Sequence, residues 1–476
     1  MGDKERVFSI LNGMEESMIQ ALKEQVRIPS VASEGTKDCP YGKEVDRALK
    51  SCLSLARSLG LLAREVDGQM GVVDLSEEKP YVGFLCHLDV VPAGDGWSLP
   101  PYEGVIRDGK MYGRGTTDNK GAAISVLFAM AAIRQAGIRL KKGVRFLAGT
   151  NEERGSSDLK YYRLVEELPP VVITPDGMYP LINVEKGRIK GVFSIPCKEH
   201  GRSILSIRGA QAVNIVPAAA KARLSGITVE VIQQAISLYA GLETEEGGTQ
   251  AGYEYQVEEI SGDGPVTEIT VWGKGAHAAT PEQGKNALCR LYSLLSKLPL
   301  KEEKQILARL SKTFPCGEYH GESCGVFCED EVSGKITLVH SMAFRESDRI
   351  RGELDIRFPV TYKAAEIERR LKEGLEREGI CLEKTEKSEG HYTDSECGYV
   401  KTLLRIFKEH TGISAEPVSM GGGTYVHEVE GGVAFGILMP GEELVPTHGA
   451  DEYILLRHLL LNARMFAQAM LELCGE

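Results

Sequence analysis

Three apolar runs, residues 83–88, 144–149 and 171–173, each stop at a short polar turn, and helical patterns lie between them. Strands that alternate with helices build a mostly parallel sheet, in which the carboxyl ends of the strands share one edge. Open α/β sheets carry their sites at that edge. Here every turn carries chemistry. The first run, in GFLCHLDVVPAGDGW, delivers His87 and Asp89, two apart and so on one face of an extended chain. The second, in GVRFLAGTNEERGSSDL, delivers Glu152 and Glu153, and the third, in VVITPDGMYP, delivers Asp176. Asp118, in IRDGKMYGRGTTDNKG, precedes a small-residue, apolar and therefore buried helix over 121–135.

Each group has an ordinary reading on its own. His87 and Asp89 can be a surface pair, Asp118 a helix N-cap, and Glu152-Glu153 a solvated strand end. Together they place four acids and an imidazole at one sheet edge, where unpaired carboxylates repel and cations relieve the repulsion. An imidazole whose second ring nitrogen meets a carboxylate is a well-oriented metal ligand.

The chain of 476 residues exceeds one ordinary core, and length alone predicts roughly two to four domains. A formal net charge of −12 argues against nucleic acid or an anionic membrane as the main partner. No apolar run approaches the ~20 residues of a membrane span. The first residues, MGDKERVFSILNGMEESM, are too acidic for a signal peptide, and Arg6 stands where a myristoylation motif has Ser or Thr. Eleven cysteines, odd in number and irregularly spaced, predict reduced thiols and a cytoplasmic location. Cys316, Cys324 and Cys328 gather around His320, but without a fourth ligand or CxxC spacing they read as ordinary thiols.

Helical periodicity marks 14–27 and 44–62, a short strand 71–75, and Asp108-Gly109 a hairpin-like turn. From about 187 to 384 the pattern becomes α+β: ILSIRG, TEITVWG and ELDIRFPV alternate, with helices over 286–297 and 364–379. The earlier pattern then returns, with a helix over 398–410, GGVAFGIL as a strand, His448 in PTHGADEYI, and a helix over 455–473. The predicted fold class is α/β: a mostly parallel-sheet domain that carries the acid cluster, from 1–185 and 385–476, and a large inserted α+β domain, 186–384. Two segments of the insertion share an outline and predict two similar subdomains.

These motifs in this order, HLDVVPAGDGW, GRGTTDNKG, TNEERGSSD, ITPDG, GKGAHAATPEQGKN and THGADE, resemble the co-catalytic metallopeptidases. That group contains carnosinase, aminoacylase, succinyl-diaminopimelate desuccinylase and dipeptidase V, and the long insertion makes the chain most similar to dipeptidase V and related Xaa-His dipeptidases. The resemblance implies that the parallel-sheet domain is a di-metal hydrolase domain and the insertion its lid domain. It implies two divalent metal ions, zinc first, with manganese and cobalt also admitted by such ligands. Asp118 would bridge them, His87 and Asp176 would hold one, and Glu153 and His448 the other. Asp89 would orient His87, and Glu152 would be the general base of a hydrolysis by metal-bridged water. From the insertion, His277 would stabilise the oxyanion. Asn214 and Arg357 would bind a small peptide substrate, with Gly422 and Gly423 of the GGGTY run cradling its carboxylate. The local alternatives are a strand-face salt bridge for Arg357, a turn role for Asn214 and a flexible loop for the glycines. His427 stands where many relatives have Arg, which alters the substrate pocket and leaves the catalytic set intact.

The expected activity is hydrolysis of dipeptides or short peptides in a catalytically competent monomer, with a dimer as the other assembly. An N-acyl-amino-acid deacylase on the same scaffold is the nearer alternative. A non-catalytic binder of metal or amino acid is the farther one, and the presence of Glu152 argues against it.

Overall fold

The protein is described by a computed structural model covering residues 2–197, 203–245, 252–260, 266–443 and 445–475. The chain forms two compact units, one from residues 1–184, 391–419 and 423–476, the other from 185–390 and 420–422.

The first unit is built on a nine-stranded sheet. Its strands are β1 (Leu62–Val66), β2 (Met70–Asp74), β3 (Pro80–His87), β4 (Gly143–Gly149), β5 (Val171–Thr174), β6 (Ile182–Glu185), β7 (His391–Tyr392), β8 (Val418–Met420) and β9 (Val433–Ala434). They lie in the order β1-β2-β4-β3-β5-β9-β6-β7, with β8 also on β6. The centre is parallel: β4 with β3, β3 with β5, and β5 with β9. The outer pairs β1-β2, β2-β4 and β9-β6 are antiparallel. His87 is in register with Gly149, and Phe84 with Ile173, so the central strands end along one edge.

The helix Lys120–Gln135 is buried on nearly every face, as its run of Ala, Val, Leu and Ile requires. Its core continues into the helices Glu15–Val26 and Leu456–Cys474, and Phe84 meets Phe466 at 5.6 Å between ring centres. Asp108 and Gly109, both with positive φ, close the hairpin between Val105–Arg107 and Lys110–Tyr112.

Several expectations are corrected. A helix over Asp3–Gly13 precedes the first one read from the sequence. The helix expected to reach residue 62 ends at Ser58, because residues from Leu62 pair as β1. GGVAFGIL is not one strand: Gly436, at φ 100, breaks it into β9 and a separate Ile437–Leu438 strand that pairs with Gly177–Met178. Cys316, Cys324 and Cys328 need no such correction: read from the sequence as ordinary thiols, all three are free, and His320 Nδ1 is bonded to the Ile336 carbonyl.

The second unit holds two four-stranded antiparallel sheets. One has the order Thr337–Arg345, Arg349–Phe358, Gly187–Pro196, Cys381–Ser388. The other has the order Ile204–Arg208, Ala219–Ser225, Val266–Trp272, Glu254–Ile260. One apolar core serves both, with Ile189 and Phe193 from the first, Ala222 and Ile269 from the second, and Leu291 and Leu310 from helices.

Candidate metal centre

The strand ends deliver their side chains to one place in the first unit. His87, fully buried at the end of β3, aims Nε2 between two carboxylates, 2.9 Å from Asp118 Oδ1 and 3.5 Å from Asp176 Oδ2. Neither contact has hydrogen-bond alignment, so this buried nitrogen has no protein partner of that kind. The other oxygen of Asp118, Oδ2, lies 3.0 Å from His448 Nε2. His448 Nε2 is also 3.2 Å from Glu153 Oε1. One carboxylate thus faces two imidazoles, one through each oxygen. Among the described residues, two groups of three are close enough to hold a cation, His87 with Glu152 and Asp176, and His87 with Asp118 and Glu153; in each, the ligand atoms lie within 4.8 Å of one another.

The backbone explains this placement. Asp118 is not an N-cap: the cap position of the following helix is Asn119, and its side chain makes no capping bond. Asn119 Nδ2 instead donates to the Pro175 carbonyl at 2.7 Å and to Asp176 Oδ1 at 3.2 Å, which ties the Asp118 and Asp176 segments together. Asp89 meets His87 chiefly through its backbone and the Glu pair through its carboxylate. Its carboxylate is 3.6 Å from His87 Nδ1, and the imidazole instead bonds the Asp89 backbone carbonyl at 2.9 Å. The carboxylate accepts from the backbone N–H groups of Glu152 and Glu153, each at 3.2 Å. It therefore positions the Glu pair.

The electrostatics follow from the crowding. Burial disfavours charge on His87, yet Asp118, Asp176 and Asp89 hold its pKa well above the ordinary range. Burial likewise opposes charge on Asp118, but the imidazoles of His448 and His87 drive its pKa far below the usual carboxylate range. Glu152 is pushed well above its ordinary value by burial, with Asp176, Glu153 and Asp89 adding to it. Hydrogen bonds to Asp118 and Glu153 raise His448 to about 11. A cluster with this excess of carboxylates is a candidate cation site, and its imidazole and carboxylate donors suit a divalent ion.

Of the residues expected to act on the substrate, Asn214, His277, Arg357 and Gly422 lie in the second unit and are linked there. Asn214, in the turn just before the strand Ile215–Val216, adjoins His277: Ile215 pairs with His277, and the Ala278 N–H bonds the Asn214 carbonyl at 2.9 Å. Gly421 lies against Ala279, so close that a Cβ on it would stand 2.6 Å from the Ala279 Cβ. Arg357 is buried, paired to Asp355 at 2.5 Å, and donates Nη1 to the Gly421 carbonyl at 2.7 Å. The strand-face salt bridge therefore exists, and through Gly421 it also fixes the segment carrying Gly422. Gly423 returns to the first unit.

Sequence reasoning missed the residues that support these loops. Asp158 Oδ2 accepts from the Thr150 and Asn151 N–H groups at 2.6 and 3.0 Å and from the Tyr425 hydroxyl at 2.5 Å. Burial pushes Asp158 up to about 6. Glu452, four residues beyond His448, does the same for the Asp118 loop. Both acids lie inside motifs that drew notice, TNEERGSSD and THGADE, but their partners are distant in sequence.

Residues 83–472 match peptidase family M20/M25/M40. The chain belongs to this family. As an M20/M25/M40 member it is a metallopeptidase. It is 32% identical over 465 residues to the Bacillus subtilis (strain 168) protein named "Putative dipeptidase YtjP", covering 96% of this chain and 97% of that one. The "Beta-Ala-Xaa dipeptidase" of Lactobacillus delbrueckii subsp. lactis is 28% identical over 469 residues, with 97% of each chain covered. Among solved structures, human carnosine dipeptidase 1 shares the fold at a TM-score of 0.61 and 17% identity, over 100% of both chains.

Proposed function

We propose that this peptidase hydrolyses dipeptides or short peptides with a free carboxyl end, using two divalent metal ions. The observation that carries the reading is Asp118, whose two oxygens address His87 and His448 separately, the geometry of a bridging carboxylate. His87 and Asp176 would hold one cation, and Glu153 and His448 the other. When bound, two such ions would supply Lewis acidity and make water a stronger nucleophile at neutral pH. Glu152 takes the proton of the attacking water on its carboxylate and returns it to the leaving amine. Asp89 keeps Glu152 and Glu153 in place through their backbone N–H groups. His277 donates to the developing oxyanion, and Asn214, Arg357, Gly422 and Gly423 serve the carboxyl end of the substrate. The dipeptidase names of the relatives, matched over nearly the full chain, support dipeptides over N-acyl amino acids. Eleven free thiols support a cytoplasmic location, and among the described residues no helix is long and apolar enough to cross a membrane.

The test is a substrate panel on chelator-treated protein reloaded with zinc, manganese or cobalt. Dipeptides should be cleaved and N-acetyl and N-succinyl amino acids spared. Faster turnover of the acyl compounds would reassign the activity to deacylation.

A further inference from the structure

Glu452 is fully buried and uses both carboxylate oxygens on one loop. Oε1 accepts from the backbone N–H groups of Thr117 and Asp118 at 3.0 and 3.1 Å. Oε2 accepts from the Gly115 N–H at 3.1 Å and from Arg114 Nη1 at 2.6 Å. Arg114, only 1% exposed, reaches onward: its Nη2 donates to the Gly449 carbonyl at 2.9 Å and to the Ala93 carbonyl at 3.2 Å. One buried ion pair thus joins the loop of Asp118, the residue after His448, and the turn that follows Asp89.

The turn it joins needs holding. His448 and Asp451 have φ of 63 and 58, the left-handed region that costs a residue with a side chain on the order of 1 kcal/mol or more. Such backbone persists where its surroundings over-determine it, and here Arg114 grips Gly449 while the Ser98 N–H bonds Asp451 Oδ1 at 2.9 Å. Stability alone does not account for the pair, because well-packed apolar residues often replace a buried ion pair at no loss. Position does: a bridging ligand works only when its backbone is fixed to within about half an ångström.

We propose that the Arg114–Glu452 pair is a positioning device that sets the spacing of Asp118 and His448, and through it the affinity of the metal site these two share. This rests on the reading of Asp118 and His448 as ligands. Glu452 acts through the backbone of Asp118, and Arg114 through the 448–451 turn. In Glu452→Gln one acceptor oxygen becomes an NH2 group that faces N–H donors, so the loop must shift.

The experiment titrates zinc into the full-length apoprotein against a chromophoric chelator. Glu452→Gln should weaken zinc binding by about 10–100-fold, the range for residues that orient ligands. At saturating zinc its kcat for a dipeptide should fall while KM stays unchanged. Arg114→Lys keeps the charge but cannot span the same acceptors, so it should shift zinc affinity in the same direction; it carries the test if Glu452→Gln does not fold. Arg145→Met, which breaks the Arg145–Asp74 pair between β4 and β2, should lower stability to urea and leave zinc affinity alone. Two zinc ions bound with wild-type affinity in the folded variants would overturn the proposal. Equal weakening in Arg145→Met would also overturn it, since the loss would then report general stability. Failure of the wild type to bind two zinc ions would instead overturn the ligand reading underneath.

Discussion

Asp118 and Glu152 are both acids near His87, and their surroundings give them different work. Asp118 has an imidazole at each oxygen, so it stays ionised and can serve two cations at once. Asp118→Ala should therefore release metal from both sites, because the carboxylate that screens the ions from each other is gone. Asp176→Ala should mainly weaken one site. Metal analysis of the two purified variants distinguishes them, and two tightly held ions in Asp118→Ala would refute the bridge. Glu152 lies in a buried place among acids, which raises its proton affinity above that of an ordinary carboxylate, the direction a general base needs. Glu152→Gln should keep fold and metal content and lose about 10²–10⁴-fold in turnover, the usual effect of removing a general base. Near wild-type turnover in a metal-replete sample would remove Glu152 from that role.

At the level of elements, strand ends and loops are fixed by close approach. Gly149 ends β4 where a Cβ would stand 1.9 Å from the Tyr425 hydroxyl and 2.9 Å from Asp158 Oδ2. Gly149→Ala should cost about 1–3 kcal/mol, the range for overpacking, and should lower activity by displacing the loop toward Glu152. Adding Tyr425→Phe removes the nearest atom, so the double variant should be less destabilised in urea than the two single effects added. In the second unit, His340 is buried, with Nε2 3.0 Å from the Tyr292 hydroxyl and Nδ1 3.1 Å from the Glu353 carbonyl. Burial pushes its pKa down to about 4. The unfolded chain binds this proton at about pH 6.5, so the stability from neutral His340 is fully present above 6.5. It is lost as the pH falls through 6.5 toward 4, by about 3 kcal/mol in all. His340→Gln should be less stable than wild type at pH 7.5, and the gap should narrow by about that amount at pH 4. A gap independent of pH would refute the assignment.

For the whole molecule, His277 is proposed to serve the metal site of its own chain. His277→Ala should lower turnover with metal content unchanged, by the roughly 3–4 kcal/mol that an oxyanion donor supplies. Mixing Glu152→Gln with His277→Ala protein tests the single-chain assignment. No activity should return, whereas recovery after subunit exchange would show that His277 works across a dimer.

The sequence by itself determined the parallel centre of the large sheet, because apolar runs of strand length stopping at polar turns leave few other folds. It also determined which side chains reach the sheet edge, since His87, Glu152, Glu153 and Asp176 follow strand ends by at most a few residues. Tertiary structure decided the rest. Whether Asp118 capped a helix or faced two imidazoles depended on His448, 330 positions away in sequence. The role of Asp89 depended on which N–H groups came within reach, and they proved to be those of Glu152 and Glu153. The antiparallel outer strands and the break at Gly436 also escaped the sequence, because short edge strands are set by their pairing partners. Arg114 and Glu452 carry no local periodicity at all; their role exists only in the buried contacts that folding creates.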